Sequence, residues 1–120
     1  MLSVYKVLSG VFALLFVWAA ILQYNDPDPL LWYFIYGVAA LLSFLFAIQK
    51  LPLLLPVVVS FVYLFGAYVF WPDEFEGVAI GAGNINNIEH ARESLGLFIM
   101  ALVMLFYAWR IKVARNGLDV

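Results

Sequence analysis

The sequence predicts an all-α integral membrane protein, an antiparallel four-helix bundle with both termini in the cytoplasm. Of its 120 residues, 67% are apolar and only 12% are charged. About half apolar is usual for a globular protein, so a chain of this size carries more apolar surface than it can hide from water. The charges that remain are clustered, leaving charge-free runs over 7–25, 29–49, 51–72 and 94–109. They are also sorted by sign. If four spans alternate, Lys6, Lys50, Arg110, Lys112 and Arg115 share one side and Arg92 alone takes the other, and an excess of Lys and Arg marks the cytoplasmic side. Asp26, Asp28, Asp73, Glu74, Glu76, Glu89 and Glu93 then face outward, which in a bacterial inner membrane is away from the cytoplasm.

The first span is expected over 7–25. Lys6 ahead of an apolar run resembles the start of a signal peptide, but the run is long and enters a charged loop without a small-x-small cleavage site, so it reads as an uncleaved helix. Asp26-Pro27-Asp28-Pro29 then stops it, because each proline lacks an N–H and pushes its predecessor out of the helical region. Pro29 suits the first position of the second span, 29–49, with Asp28 as its N-cap. Within it Ala39, Ser43 and Ala47 recur at i, i+4 and i+8, a small-residue stripe that lets a neighbour approach closely.

Gln49-Lys50-Leu51-Pro52 makes the next turn, and the third span is expected over 52–71, bent early by Pro56 and closed by Trp71-Pro72. An outer loop follows over 72–88, with Gly77, Gly81 and Gly83 in it. Asn86 with Glu89 three residues on has the form of a capping box. The fourth span has only 16 charge-free residues, about 24 Å of helix against a hydrocarbon core of about 30 Å. It must therefore borrow the charged turn at 89–93 or end in the interface at Trp109 and Arg110, and the span is placed at 89–110. Trp32, Tyr33, Trp71 and Trp109 fall near predicted span ends, where an interfacial aromatic belt is the expected role. The whole chain, 1–120, reads as a single transmembrane domain.

Several functions are excluded by composition. A pI near 5.1 with six Lys plus Arg argues against nucleic acid as a partner. The absence of cysteine removes disulfides, iron–sulfur clusters, thiolate zinc and a cysteine nucleophile. Ser-His-Asp hydrolysis is unsupported, since the single histidine, His90, has Ser94 four residues after it on the same helix without a positioned oxyanion hole. A channel is equally unsupported, because the first three spans carry no intramembrane charge.

Two stretches on the outward face hold the informative residues. One is Gln23-Tyr24-Asn25-Asp26-Pro27-Asp28-Pro29 followed by Trp32 and Tyr36; the other is Glu89-His90-Ala91-Arg92-Glu93-Ser94-Leu95-Gly96-Leu97. Their patterns, Q-x-N-D-P-D, W-x-x-x-Y and E-x-x-R-E-x-x-G-L, resemble the transmembrane protein 220 family of small multi-span proteins. That resemblance implies a membrane location and helical architecture, and it brings no established reaction. His90 lies outside the family pattern.

On a helix Glu89 faces both Arg92 and Glu93, at i+3 and i+4, while Asp26 and Asp28 sit in a proline-constrained turn. If the two stretches converge, four acids and one arginine leave a formal charge of −3, which cannot stay uncompensated beside hydrocarbon. One remedy is a divalent cation, calcium, magnesium, manganese or zinc, held by Asp26, Asp28, Glu89 and Glu93 with His90 as a weaker candidate ligand. A second is protonation, giving a proton relay or an outer-leaflet acid catalyst. The third is a structural network in which Arg92 clamps an acid and Gln23, Asn25, Trp32 and Tyr36 order the outer end. The leading expectation is a protein without catalysis of its own, with the lipid bilayer as its surroundings. The alternative is an accessory subunit or scaffold that meets a second copy or another membrane protein. The basic tail Arg110-Ile111-Lys112-Val113-Ala114-Arg115 is expected to anchor the last span to anionic headgroups.

Overall fold

The computed structural model describes residues 3–25, 28–81 and 83–115. Among the described residues there are four α-helices and no strand: α1 (Ser3–Ile21), which runs into a 3₁₀ turn (Leu22–Asn25), α2 (Pro29–Ala47), α3 (Leu54–Val69) and α4 (Ile85–Arg115). An all-helical chain is what hydrocarbon demands, since a helix satisfies its own backbone N–H and C=O groups where no water can. Among the described residues three segments are long and apolar enough to cross a membrane: Ser3–Asn25, Pro29–Ala47 and Ile85–Arg115.

The short element is α3, not the fourth span as its charge-free length suggested. α3 has 16 residues and covers about 24 Å. α4 has 31 and covers about 46 Å, because nothing between Ile85 and Arg115 breaks a helix: the stretch holds no proline, and Glu89, Arg92 and Glu93 are good helix formers. Charge ends the apolar run there without ending the helix. Pro56, expected to bend the span, falls at the helix start. It is the third residue of α3, in the first turn, where an N–H has no intrahelical partner to lose.

α2 begins and ends at local signals. Pro29 occupies its first turn after Asp28, as expected, but the Asp28 side chain makes no capping hydrogen bond; the Asp28 carbonyl accepts from the Trp32 N–H at 3.4 Å. At the other end the Lys50 N–H donates to the Leu45 carbonyl at 2.8 Å and the Gln49 N–H to the Phe46 carbonyl at 3.0 Å. Gln49 has a left-handed φ of 61°. This is the Schellman arrangement, in which a residue of positive φ lets the chain fold back over the last carbonyls. Pro52 then prevents the helix from resuming at once.

By internal packing the chain divides into two compact units, one of Met1–Pro56 with Tyr107–Val120 and one of Val57–Phe106. In the first, α1 packs along α2. α1 buries little, with Ser9 and Phe16 its buried residues, whereas α2 buries a face of Trp32, Ala39, Ala40, Leu42, Ser43 and Phe46. The expected small-residue stripe is thus largely interior: Ala39 and Ser43 are fully covered, and Ala47 is half-buried. Tyr107 from α4 seats on it. Its hydroxyl donates to the Ser43 Oγ at 2.7 Å, Ser43 donates to the Ala39 carbonyl at 2.8 Å, and the Tyr107 ring stacks on Phe46 with centroids 4.5 Å apart.

Trp32 departs from the belt expectation. It is buried, at 2% exposure, and tilts against Tyr36 with ring centroids 6.1 Å apart. The reason is its position: Trp32, Ala39, Ser43 and Phe46 are spaced by seven, four and three, which keeps them on one helical face. Trp71 and Trp109 remain half exposed, in keeping with an interfacial role.

The second unit holds most of α3 and most of α4. Ile88, Ala91, Leu97, Met100, Ala101 and Met104 line the buried face of α4. Gly66 lies so near this helix that a Cβ there would come within 3.2 Å of the Leu97 Cδ1 atom. Beside it the buried Ser94 hydroxyl donates to the Ala67 carbonyl at 2.5 Å. Ser9 and Ser60 instead satisfy their hydroxyls on their own helices, donating to the Lys6 and Val57 carbonyls. Such bonds to the preceding turn are the usual way to place serine in an apolar helix. The bond from Ser94 is different in kind, because it ties two helices together.

Candidate functional site

The polar architecture of the second unit is built where the loop over 70–84 meets the start of α4. Asn84 is the N-cap: its Oδ1 accepts the Asn86 N–H at 2.9 Å, and its carbonyl accepts the Ile88 N–H at 3.1 Å. The cap is therefore two residues before the Asn86 expected from sequence. In a capping box the side chain at the third helical position reaches back to the N-cap amide. Here that position is Asn87, and the role passes to Glu76 from within the loop. The Asn84 N–H donates to the Glu76 Oε2 at 2.5 Å, and the Asn87 Nδ2 donates to the Glu76 Oε1 at 3.4 Å. A carboxylate at this end of a helix is also favoured by the helix dipole.

Glycine makes that approach possible. A Cβ on Gly83 would run into the Glu76 carboxylate, and Gly77 and Gly81 take φ of 93° and 94°, a region in which other residues are strained. The loop is held a second time by Arg92, whose Nε donates to the Val78 carbonyl at 2.6 Å. Arg92 thus grips a loop carbonyl, whereas the sequence led to a clamp on Asp26 or Glu89, of which Asp26 lies outside the described residues. Aromatic contacts flank this region: Trp71 stacks on Phe75 at 5.3 Å, and Phe70 meets the edge of the His90 ring at 6.4 Å.

The other predicted site residues take the following places. Glu89 and His90 are exposed on α4, and Glu93 is half-buried. In the first unit Gln23 donates its Nε2 to the Ala19 carbonyl at 2.9 Å, closing the end of α1. Asn25 is exposed at the end of the 3₁₀ turn, Asp28 is exposed ahead of α2, and Trp32 and Tyr36 form the ring pair described above. Asp26 lies outside the described residues. Among the described residues no three His, Asp or Glu side chains gather into a set able to hold a metal ion.

This geometry defines what the groups are available to do. Both Glu76 oxygens accept hydrogen bonds that build the helix start, and the Ser94 proton is given to the Ala67 carbonyl. In the sequence Glu76 reads only as one acid of a solvated loop with Asp73 and Glu74, and nothing there singles out Asn84 or the Val78 carbonyl. The partners of Glu76 lie eight and eleven residues on, across a glycine-rich loop, and no periodicity links such positions.

A model of the family described as Transmembrane family 220, helix, matches residues 15–109. The chain belongs to transmembrane family 220. Comparison with curated proteins gives no match, and comparison with solved structures gives none. The part of the chain that matches family 220 takes in both sequence motifs, the Glu76 and Arg92 contacts, and the Ser43–Tyr107 pair. Tyr5 and the chain from Arg110 onward lie beyond it. Family membership and the apolar helices together make this an integral membrane protein.

Proposed function

We propose that the chain is an antiparallel four-span protein of a bacterial inner membrane, with both termini cytoplasmic and no catalysis of its own. Its outward polar head acts as a structural charge network. The observation that carries this reading is the use of charge at the start of α4: Glu76 takes two donors there, and Arg92 grips the loop through Val78. The side of each end follows from the five basic residues at Lys6, Lys50, Arg110, Lys112 and Arg115 against Arg92 alone. The brevity of α3 fits a span that locally thins the bilayer.

The sidedness is directly testable, because the chain has no cysteine of its own. Single substitutions Asn86→Cys and Arg115→Cys, probed in intact cells with a membrane-impermeant maleimide, are expected to label at Asn86→Cys alone. Labelling at Arg115→Cys and not at Asn86→Cys would reverse the orientation.

Arg92→Ala tests the network. It removes one charge-assisted but exposed hydrogen bond and is expected to lower stability in detergent by about 1 kcal/mol. Calcium, magnesium, manganese and zinc are expected to leave the melting temperature of the unaltered protein where it was. A rise with one of these ions that disappears in Glu93→Gln would replace the structural network with a divalent-cation site. Association with a second copy or a membrane-complex subunit is the second reading. It is favoured by α1, which within the chain buries Ser9 and Phe16 and leaves most of its apolar surface exposed.

A further inference from the structure

The first unit carries a groove at the end opposite to Asp28. It has a volume of about 310 Å³ and is lined by Phe46, Gln49, Leu51, Arg110, Ile111, Ala114 and Arg115. We propose that this groove binds the phosphate headgroup of an anionic phospholipid, with Arg110 and Arg115 as its cationic ligands.

Arg110 is the first argument. It is a buried arginine, at 7% exposure, and its guanidinium carbon lies 4.1 Å from the centroid of the Tyr5 ring and 4.7 Å from that of Trp109. Stacking on aromatic rings fixes the plane of a guanidinium, and its N–H donors lie in that plane in a fork matched to phosphate oxygens. An arginine ordered by two rings therefore gives up less conformational freedom when an anion arrives than a mobile surface lysine does.

Charge is the second. Among the described residues that line the groove, Arg110 and Arg115 are charged and none is acidic. Lys50 follows Gln49 in the turn, and Lys112 lies between the two arginines in sequence. The acid described in this unit, Asp28, precedes α2 by one residue, about 27 Å of helical rise from Phe46.

The third argument separates a lipid from a free anion. Phe46, Leu51, Ile111 and Ala114 make the rest of the wall largely apolar. Inorganic phosphate has nothing to offer such a surface, whereas a phospholipid brings a glycerol backbone and the first methylenes of its acyl chains. Leu51 and the Gln49 turn stand at the foot of this wall because the Schellman turn folds the chain back there. Basic pockets at the cytoplasmic ends of spans are suited to anionic headgroups.

The test is lipid retention by the full-length protein in mild detergent, read by native mass spectrometry and by melting temperature. Phosphatidylglycerol is expected to be retained in preference to phosphatidylcholine and to raise the melting temperature, whereas millimolar inorganic phosphate does neither. Arg115→Gln, at an exposed position, is expected to weaken phosphatidylglycerol retention about fivefold, the factor for one basic contact at a membrane surface. Lys112→Gln removes the same charge from a residue outside the groove and is expected to leave retention within twofold. Equal retention of phosphatidylcholine, or an Arg115→Gln protein that retains phosphatidylglycerol like the parent, would overturn the proposal. An equal loss in Lys112→Gln would also overturn it, by reducing the effect to general attraction between a basic tail and an acidic surface. A melting shift with inorganic phosphate as large as that with lipid would make this a free-phosphate site instead.

Discussion

Tyr107→Ala is expected to lower the stability of the folded chain by about 3 kcal/mol, measured as reversible unfolding in mixed micelles. Tyr107 is fully buried, stacked on Phe46 and bonded through its hydroxyl to Ser43. Truncating a buried aromatic to alanine costs roughly 3–5 kcal/mol in water-soluble cores. The lower end applies here, because lipid tails are as apolar as the interior and the transfer part of that cost is reduced, leaving lost packing and the cavity. Tyr107→Phe separates the ring from the hydroxyl. It keeps the stack and is expected to cost only about 0.6 kcal/mol, the average for a hydrogen bond between membrane helices, since Ser43 still donates to the Ala39 carbonyl. If the alanine variant unfolds like the parent, the ring is not an anchor of the first unit. If the phenylalanine variant loses as much as alanine, the hydroxyl rather than the stack dominates.

The contrast between Tyr107 and Pro29 shows which parts of this fold are legible in sequence. Proline acts locally: it removes one donor and restrains one neighbour, so Pro29 at the start of α2 and Pro52 and Pro72 on either side of α3 can be read without knowing the fold. Hydropathy is less local. It measures solvent preference, and a helix has no reason to stop where solvent changes. α4 therefore continues through Glu89, Arg92 and Glu93 at one end and Lys112 and Arg115 at the other, while α3 is shorter than its apolar run. The capping residue of α4 was misplaced for a related reason. Asn84 and Asn86 are the same residue type two positions apart, and what selects Asn84 is the Glu76 carboxylate waiting at its N–H.

Burial was legible where a helical period exposed it and hidden where residue type suggested a surface role. Ala39 and Ser43 were recognisable as a close-approach stripe, but the side chain that fills it comes from a residue 64 positions away. Trp32 carries the composition of a membrane interface and the periodicity of a core, and the periodicity decides. The acids were recognisable as a group in sequence, gathered before α2 and around the loop that leads into α4. Their division into builders of the head, such as Glu76, and exposed residues, such as Glu89, depends on loop geometry that no spacing in the sequence encodes. Arg110 illustrates the same limit at the other end: its basic character was plain, whereas the Tyr5 ring that orders it is supplied by the far end of the chain.

Glu76→Ala is expected to fray the first turn of α4 and to lower stability by about 1–2 kcal/mol. That is the range for loss of a helix cap, and it covers the two acceptor positions that Glu76 supplies to Asn84 and Asn87. The loss is local, so its signature is faster hydrogen exchange at the amides of Asn84, Asn86 and Ile88, with the amides deeper in α4 unchanged. Glu76→Gln keeps an acceptor while removing the charge. It should fall between the parent and alanine, by the few tenths of a kcal/mol to about 1 kcal/mol that a carboxylate gains from a helix N-terminus. Gly83→Ala reaches the same end from the other side, because a methyl group there displaces the carboxylate that Glu76→Ala deletes. Two changes acting on one interaction do not add. The double variant is therefore expected to be no less stable than the weaker of the two single variants. Losses that sum across the pair would separate the two positions and leave the glycine with a backbone role of its own.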